Sequence, residues 1–333
     1  MAFFLPVSET VAKPAPEPSG ANMERPVNIW LRLGLFLAPV VLLVCLPVLW
    51  IDPYGLFQKD AHVDDPVRLD NAARVNQVLL AIIAFSKSPT PNILLGDSQM
   101  THLKATDVEA IAHQHYTNLS YGGGTLAEAI ATFWYATRIV KLQSVYFGAT
   151  FYSFTDNSRN RVGAAVQIVN NRLAYFPNGD VLEVTWDDLL AEVFHHSVSY
   201  QPTVDTATFW RQQLGELARR KQTYPVSEQT LAELREVVRY CQLNGVRLFF
   251  VIPPEHEDVR RRIGDLGMQE QYSEFKATVA RLGPTYDCDV PSETTRDAHN
   301  FVDPFHTTQA AAALIVHDIW SGQHEQCPIR DVR

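Results

Sequence analysis

The sequence predicts an α/β protein in which helices cover both faces of a parallel β-sheet, preceded by one apolar N-terminal helix. Short apolar runs alternate with amphipathic segments from residue 68 onward, and several of these runs end at glycine or proline. Strands that alternate with helices along a chain form parallel sheets with a helical layer on each face. An uncharged apolar run over residues 33–51 predicts the separate N-terminal helix.

The first part of the chain is expected to lie outside the globular fold. Residues 1–27 predict a disordered tail, because prolines recur throughout and apolar residues are few. Residues 28–51 predict a membrane-spanning helix, since the bilayer core requires about 20 apolar residues. Trp30 and Trp50 lie at its two ends, where interfacial aromatic residues are found.

Two other interpretations of this apolar run are weaker. A cleaved signal peptide has a small-residue cleavage site, and no such pattern follows Ile51. A buried helix of a globular domain is disfavoured because nothing polar interrupts the run. Pro39 and Pro47 are tolerated in a membrane helix and are expected to kink it.

In the rest of the chain, predicted strands and helices alternate as in a parallel sheet covered by helices on both faces, except within one insertion. Residues 155–225 are polar and aromatic, and irregular structure with short helices is expected there. An insertion of this length is more often functional than idle. The predicted strands are 92–96, 116–120, 144–150, 246–252 and 285–290, and the predicted helices are 68–86, 105–113, 125–140, 227–244, 269–282 and 307–321.

Charge and cysteine content exclude several classes of protein. The net charge of -9 disfavours nucleic acid as a partner, because its phosphates would be repelled. The four cysteines show no metal-ligand spacing, and no metal or cofactor is predicted. Cys45 lies in the apolar run, and Cys241, Cys288 and Cys327 follow. A Cys288–Cys327 disulfide is one option in an oxidising compartment, and the sequence leaves it open.

The candidate functional residues follow the predicted strands. Ligands of such sheets bind beyond the carboxyl ends of the strands. Ser98 follows the first strand, residues 120–124 follow the second, and residues 150–154 follow the third. Asp303 and His306 precede the last helix. The carboxyl edge of the sheet is therefore expected to gather a serine, a glycine-rich loop, a histidine and an acid.

These residue types match the requirements of a serine nucleophile. A serine hydroxyl needs a neighbouring base and a group that orients the base. Asp303 and His306 supply both from one short turn. A developing oxyanion needs fixed donors, and the Ser98 N–H and a glycine N–H within 122–124 are candidates. This combination predicts attack on an acyl group.

Each piece has an ordinary alternative when taken by itself. Gly-Asp-Ser occurs in plain turns, three glycines make flexible loops, and Asp303 could simply cap the last helix. His299 competes with His306 as the base. Other polar residues have two interpretations each. His195 and His196 either bind a metal together with His299 or Asp297, or form an exposed pair. A second set either lines a substrate groove or belongs to a solvated loop: Asp156, Asn157, Arg159 and Arg161.

Together, three segments resemble the blocks of the SGNH (GDSL-like) hydrolase superfamily. Residues 94–98, Leu-Leu-Gly-Asp-Ser, resemble its first block, and residues 118–124 resemble its second. Residues 303–306, Asp-Pro-Phe-His, resemble its fifth. The resemblance implies a flavodoxin-like α/β/α sandwich with a parallel sheet. It also implies catalysis by Ser98, Asp303 and His306, with Ser98 and Gly123 in the oxyanion hole.

The third block departs from the family pattern. The family's Gly-x-Asn-Asp is replaced by Gly148-Ala-Thr-Phe151, so the asparagine donor is missing and Thr150 is the remaining candidate donor. Substrate-binding candidates near the same edge are Asp97, Asn118, Phe151 and Tyr152. Asn118 is also expected to tie the second strand to the Ser98 loop.

The departure is shared by a membrane-anchored subgroup similar to DltD-type and polysaccharide O-acetylation proteins. Asp-Pro-Tyr after the apolar run, at residues 52–54, supports this likeness. The resemblance implies a single-pass protein of the bacterial cytoplasmic membrane, with residues 1–27 cytoplasmic and residues 52–325 in the periplasm. It implies a polytopic membrane O-acyltransferase as the acyl-donor partner and a cell-envelope polysaccharide as the acceptor.

Two functions follow as hypotheses. The first is serine-dependent acyl transfer or ester hydrolysis on a cell-envelope carbohydrate, through an acyl-serine. The second is a catalytically silent scaffold that recruits the membrane acyltransferase or binds polysaccharide, which the missing asparagine favours. A soluble lipase is disfavoured by the anchor and the long polar insertion.

Overall fold

The computed structural model describes residues 27–58, 65–155, 157, 159–194, 205–221 and 224–330. The expectations for residues 1–26, Asp156 and the His195–His196 pair lie outside these residues. The chain divides into two compact units, Met1–Cys45 and Leu46–Arg333.

The apolar N-terminal run forms helix α1, Val27–Ile51. Among the described residues no single straight helix is both long and apolar enough to cross a bilayer. Leu31–Pro39 and Val41–Ile51 meet the length and composition criteria only as a pair, bent by 43° relative to each other. The bend follows Pro39, whose missing N–H and bulky ring interrupt the helical hydrogen-bond ladder.

The sheet of the second unit is mostly parallel, which confirms the predicted α/β class. Its strands have the order β2-β1-β3-β4-β5-β8, in which the first five are parallel and β8 is an antiparallel edge strand. A separate two-stranded hairpin consists of β6 and β7. The strand bounds are β1 Asn92–Leu95, β2 Tyr116–Asn118, β3 Ser144–Gly148, β4 Arg247–Ile252, β5 Thr285–Asp287, β6 Phe301–Asp303, β7 His306–Thr307 and β8 Ile329–Arg330.

Twelve further helices are described. Their bounds are α2 Pro66–Lys87, α3 Ser98–Thr101, α4 Ala105–Ala112, α5 Leu126–Ile139, α6 Val162–Asn170, α7 Gly179–Phe194, α8 Thr206–Arg220, α9 Glu228–Asn244, α10 Glu257–Asp265, α11 Gln269–Leu282, α12 Glu293–Arg296 and α13 Gln309–Ser321. Short 3-10 turns lie at Arg172–Tyr175 and Ala298–Asn300.

Helices cover both faces of the sheet because the strands are apolar on both sides. In β1, Ile93 and Leu95 belong to the larger core cluster with α2, α5 and α9, whereas Leu94 belongs to the smaller cluster with α4 and α13. In β3, Val145 and Phe147 separate from Tyr146 in the same way. Successive side chains of a strand point to opposite faces, so near-continuous apolar strands require two helical layers.

The insertion is more regular than the sequence predicts. Instead of irregular structure with short helices, it contains α6, α7 and α8, of 9, 16 and 15 residues. Its buried residues recur at helical spacing, as Val181 and Val184 do, and its polar residues bind α2. Asn71 donates to Asp188 at 2.8 Å and Arg74 to Asp187 at 2.7 Å. The polar composition therefore reflects helix faces that pair with α2.

The segment after α1 is attached to this insertion through Asp52. The carboxylate accepts hydrogen bonds from three backbone N–H groups, those of residues 56, 57 and 58, and from the Tyr175 hydroxyl at 3.1 Å. The Tyr175 hydroxyl in turn accepts the Tyr54 N–H at 3.1 Å. The Asp-Pro-Tyr segment thus forms a closed, buried turn.

The structure also decides the cysteine pairing that the sequence leaves open. Cys288 and Cys327 form a disulfide, with their Cα atoms 4.0 Å apart. The bond joins the residue after β5 to the residue that precedes β8 by two positions, and it helps to hold β8 on the sheet edge. Cys45 and Cys241 are free thiols.

Candidate active site

The candidate site lies at the carboxyl ends of β1, β2 and β3. The strand order places β1 between β2 and β3, and the chain direction of the crossovers reverses there. Doubly wound sheets form a crevice at this switch point. Ser98 follows β1, and residues 120–124 follow β2, so the topology alone brings the serine beside the glycine-rich loop.

Ser98 is the first residue of α3, a short helix that begins in a crowded turn. The Asp97 carboxylate caps this helix by accepting the Gln99 N–H at 3.0 Å. The turn requires glycine at position 96, where a Cβ atom would lie 2.5 Å from Met100 Cγ and φ is +154°. A Cβ atom on Gly124 would lie 3.1 Å from the Asp97 Cα. The sequence near Ser98 is therefore dictated by close backbone packing.

The predicted serine, histidine and acid are hydrogen-bonded in a chain. Ser98 Oγ lies 2.7 Å from His306 Nε2, although 208 positions separate the two residues. His306 Nδ1 lies 2.8 Å from Asp303 Oδ2 and 2.9 Å from Oδ1. A proton on Nδ1 that is donated to Asp303 leaves Nε2 free to accept the serine proton. This is the arrangement that a nucleophilic serine requires.

The Asp303 carboxylate is held in its charged form. Burial alone raises the pKa of Asp303, but the hydrogen bond and charge of His306 and the N–H groups of Phe305 and His306 lower it below the ordinary value. Thr308, not Asp303, caps the last helix. The helix-cap alternative for Asp303 is therefore excluded.

The two backbone N–H groups predicted as oxyanion donors remain candidates for that role. Neither the Ser98 N–H nor the Gly123 N–H has an acceptor among the residues that the structure describes. The loop that carries Gly123 is pinned to the serine turn, because the Tyr121 N–H donates to the Gly96 oxygen at 3.2 Å. Gly123 has φ of +58°, which glycine adopts without strain.

Thr150 is engaged elsewhere, and the geometry does not support it as a third oxyanion donor. Its hydroxyl donates to Asp97 Oδ2 at 2.5 Å, and its N–H donates to Ser153 Oγ at 3.1 Å. Burial raises the pKa of Asp97, and the Thr150 hydrogen bond opposes that shift. Thr150 thus stabilises the cap of α3.

The other predicted substrate-binding residues separate into two groups. Asp97 and Asn118 are occupied by contacts within the protein: Asp97 accepts the Gln99 N–H and the Thr150 hydroxyl, and the Asn118 amide donates to the Met100 oxygen at 2.8 Å and to the Leu103 oxygen at 2.9 Å. Phe151 is buried among the aromatic rings of the core. The side chains of these three residues contact other parts of the protein, and their surroundings do not support the prediction that they contact substrate.

Tyr152 differs because it lines a cleft beside the glycine loop. The cleft has a volume of about 150 Å³ and is also lined by Gly123, Asn157 and Arg159. Arg159 donates to the Gly123 oxygen, and Arg161 donates to the Gly122 oxygen at 3.3 Å. Both arginines therefore buttress the glycine loop.

The competing histidine receives no support from the structure, and the metal alternative depends on His195 and His196, which lie outside the described residues. The His299 side chain is 96% exposed and bonds to Asp297 at 2.8 Å, away from Ser98. No cluster of three or more histidine, cysteine, aspartate or glutamate side chains suited to a metal occurs in the described part of the chain.

Three residues near Ser98 were missed by sequence reasoning. The His102 ring stacks on His306 with centroids 5.4 Å apart, and burial followed by the charge of His306 lowers the pKa of His102. Gln99 and Glu255 are bonded side chain to side chain, at 2.9 Å. Of these three residues, only Glu255 lies at a position that the sequence pattern could indicate, because it follows the carboxyl end of β4.

Comparisons with known proteins add little to this description. No family model matches the sequence, and no curated protein matches it. Among solved structures it is similar to a protein of Bacteroides fragilis that is provisionally assigned as an acylhydrolase, with 12% identity over 78% of this chain and 96% of that chain. The TM-score of 0.32 is too low to carry an argument. What defines the chain is an α/β sandwich with a serine–histidine–aspartate chain at its switch point.

Proposed function

We propose that this protein transfers or hydrolyses acyl groups through an acyl-serine at Ser98. The observation that carries the proposal is the continuous hydrogen-bond chain from Ser98 Oγ through His306 to Asp303, at 2.7 and 2.8 Å. A buried carboxylate, an oriented imidazole and a half-buried hydroxyl in this order serve no obvious purpose in packing. They do meet each requirement of nucleophilic catalysis.

The proposed reaction has two halves. In the first, Ser98 Oγ attacks the acyl carbonyl carbon while His306 Nε2 takes the hydroxyl proton, and the N–H groups of Ser98 and Gly123 stabilise the oxyanion. The intermediate collapses as the bond to the leaving group breaks, and His306 gives the proton to that group. In the second half, a sugar hydroxyl or water attacks the acyl-serine and loses its proton to His306, which returns that proton to Ser98 Oγ as the bond between the acyl carbon and Oγ breaks.

The finer proposal concerns the family, the substrate and the location. The three motif segments and the 2-1-3-4-5 order of the parallel strands support an SGNH-like fold, since that order is the flavodoxin-like one. The apolar α1 supports a membrane anchor, and the likeness to envelope-modifying proteins supports a cell-envelope carbohydrate as acceptor. A membrane O-acyltransferase as donor and a periplasmic location belong to the same proposal.

A second candidate function is a catalytically silent scaffold. The observation that favours it is the state of Thr150, both of whose donors are bonded within the protein. Only two N–H groups then remain for the oxyanion, where the family pattern supplies a third donor from asparagine. Loss of one oxyanion donor typically costs about a hundredfold in rate or more.

Covalent labelling separates the two functions. The full chain in detergent is incubated with a fluorophosphonate probe, and the labelled peptide is identified by mass spectrometry. Acyl-serine chemistry predicts a single adduct on Ser98, absent in Ser98→Ala and retained in the matched control Ser273→Ala, because Ser273 is exposed on α11. Folded protein that never forms the adduct would overturn the acyl-serine proposal and favour the scaffold.

A further inference from the structure

A buried hydrogen bond between two polar side chains connects the helix of the nucleophile to another segment of the fold. Gln99, the second residue of α3, donates from Nε2 to Glu255 Oε1 at 2.9 Å. Both side chains are almost fully buried, with residue exposures of 6% and 4%. The two residues are 156 positions apart, so the bond joins the serine helix to the segment that follows β4.

The same segment is bonded to the turn that carries the histidine. The His256 N–H, immediately after Glu255, donates to the Pro304 oxygen at 2.9 Å. Pro304 lies between Asp303 and His306. Residues 255–256 therefore connect both partners of the Ser98–His306 hydrogen bond, one through a side chain and the other through the backbone.

The surroundings of Glu255 disfavour a charge on its carboxyl group. The titratable groups that face it are Asp97, Arg260, Tyr272, Lys276 and Asp289. Lys276 is bonded to Asp287 at 2.9 Å and Arg260 to Asp289 at 2.5 Å, so both cations have carboxylate partners of their own. Burial and then the Asp289 charge raise the pKa of Glu255 to about 8.

We propose that Glu255 is a positioning residue, which holds α3 and the Asp303–His306 turn at the separation that the Ser98–His306 hydrogen bond requires. A neutral carboxyl can face the Asp97 cap without repulsion, whereas a charged one would repel the Asp97 carboxylate and strain the first turn of α3. The kinetic consequence rests on the function proposed above, but the positional one does not.

The test compares Glu255→Gln and Glu255→Ala with the wild type. Glutamine keeps an acceptor for Gln99 but never ionises, and alanine removes the contact. Glu233→Gln is the matched control, because Glu233 is exposed on α9 and bonds only to Gln229 among the described residues. Two readouts are followed from about pH 6 to about pH 10: the rate of fluorophosphonate labelling, and the proton resonance of the His306 Nδ1–H in histidine-labelled protein.

The expected results distinguish positioning from a merely structural role. Wild-type labelling slows by about threefold or more above pH 8 as Glu255 ionises, and the Nδ1–H resonance shifts over the same interval. Glu255→Gln labels at the wild-type rate near pH 7 and shows neither change. Glu255→Ala labels about tenfold more slowly, because a small misplacement of reacting groups is costly.

Two outcomes would overturn the proposal. One is a Glu255→Ala protein that labels at the wild-type rate with an unchanged resonance. The other is an alkaline change that persists in Glu255→Gln, since another group would then cause it. If the wild type itself never labels, the proposed function fails, and the resonance still decides whether Glu255 positions His306.

Discussion

At the scale of single residues, the surroundings of a charged side chain decide its role more than its identity does. Asp303 and Asp297 each bond a histidine two or three positions along the chain, at 2.8 Å. Asp303 is buried at the carboxyl edge of the sheet and its histidine reaches Ser98, whereas the His299 ring is exposed. The two pairs have the same local chemistry, and their tertiary surroundings alone set them apart.

This contrast supplies the first prediction. Asp303→Asn replaces the acceptor of the His306 Nδ1 proton with an amide that can present a donor, which favours the wrong tautomer. Labelling of Ser98 by a fluorophosphonate is expected to slow by about a thousandfold or more. Asp297→Asn is the matched control and is expected to label normally. Equal rates for the two variants would refute a role for Asp303 in orienting the imidazole.

The second prediction concerns stability and pH. The folded-state pKa of Glu255, about 8, lies above the unfolded value of about 4.3, so the folded protein keeps a proton that the unfolded chain loses. Its contribution therefore falls as pH rises between these values, by at most about 1.4 kcal/mol per unit. Glu255→Gln should gain thermal stability over the wild type progressively from pH 5 to about 8, and level off above. A constant difference in melting temperature would show that Glu255 does not titrate there.

At the scale of elements, the nucleophile depends on how a four-residue helix is fixed. Asn118, at the end of β2, donates to two backbone oxygens, that of Met100 in α3 and that of Leu103 in the following turn. The Ser120 N–H completes the arrangement by donating to Asn118 Oδ1 at 2.9 Å. A helix this short has little stability of its own, so its position is set by such clamps.

The third prediction removes this clamp. Asn118→Ala leaves the Leu103 oxygen without its donor among the described residues and leaves the Met100 oxygen with backbone donors alone, at an expected cost of about 2 kcal/mol in the free energy of unfolding. Labelling of Ser98 should slow as well, because α3 loses its fixed orientation. Asn244→Ala is the control, since among the described residues the exposed Asn244 amide bonds only to the Tyr240 oxygen within α9. Denaturant unfolding and labelling together measure both effects, and parity with the control would contradict the clamp.

At the scale of the whole molecule, the far edge of the sheet is closed by a covalent bond. The Cys288–Cys327 disulfide spans 39 positions and holds the chain segment that carries β8 against β5. Arg330 on β8 also pairs with the buried Asp287 at 2.6 Å. The edge strand is therefore tied by a disulfide, by an ion pair and by an antiparallel ladder.

The fourth prediction tests that closure. Breaking a loop of this length is expected to cost about 4 kcal/mol in the free energy of unfolding, mainly by releasing the unfolded chain. The Cys288→Ser/Cys327→Ser protein should unfold at lower denaturant concentration, and a reductant should lower the wild type to the same midpoint. Cys45→Ser, which alters a free thiol, should leave the reductant effect intact. A wild type that is insensitive to the reductant would argue against the bond.

Much of the fold and of the candidate site follows from local pattern. The apolar runs at 92–96 and 144–150 contain β1 and β3, which are buried on both faces, and the predicted helix 227–244 corresponds to α9, which Ser227 caps and Gly245 ends. Ser98 lies at the carboxyl edge of the sheet because it follows the parallel strand β1, and His306 reaches it from the separate β6–β7 hairpin. The insertion was predicted less well, because the polar faces of its helices resemble loop sequence. Those polar residues are explained only by their contacts with α2.

Periodicity along the chain was sufficient to predict the α/β class, the five parallel strands and six of the helices, and the motif segments pointed to Ser98, Asp303 and His306. The tertiary structure was needed to show that Thr150 bonds to Asp97, that Asn118 holds α3, that Glu255 bonds to Gln99, and that Cys288 pairs with Cys327. Such contacts join residues far apart in the chain, and their energies depend on burial and on exact neighbours that no local pattern encodes.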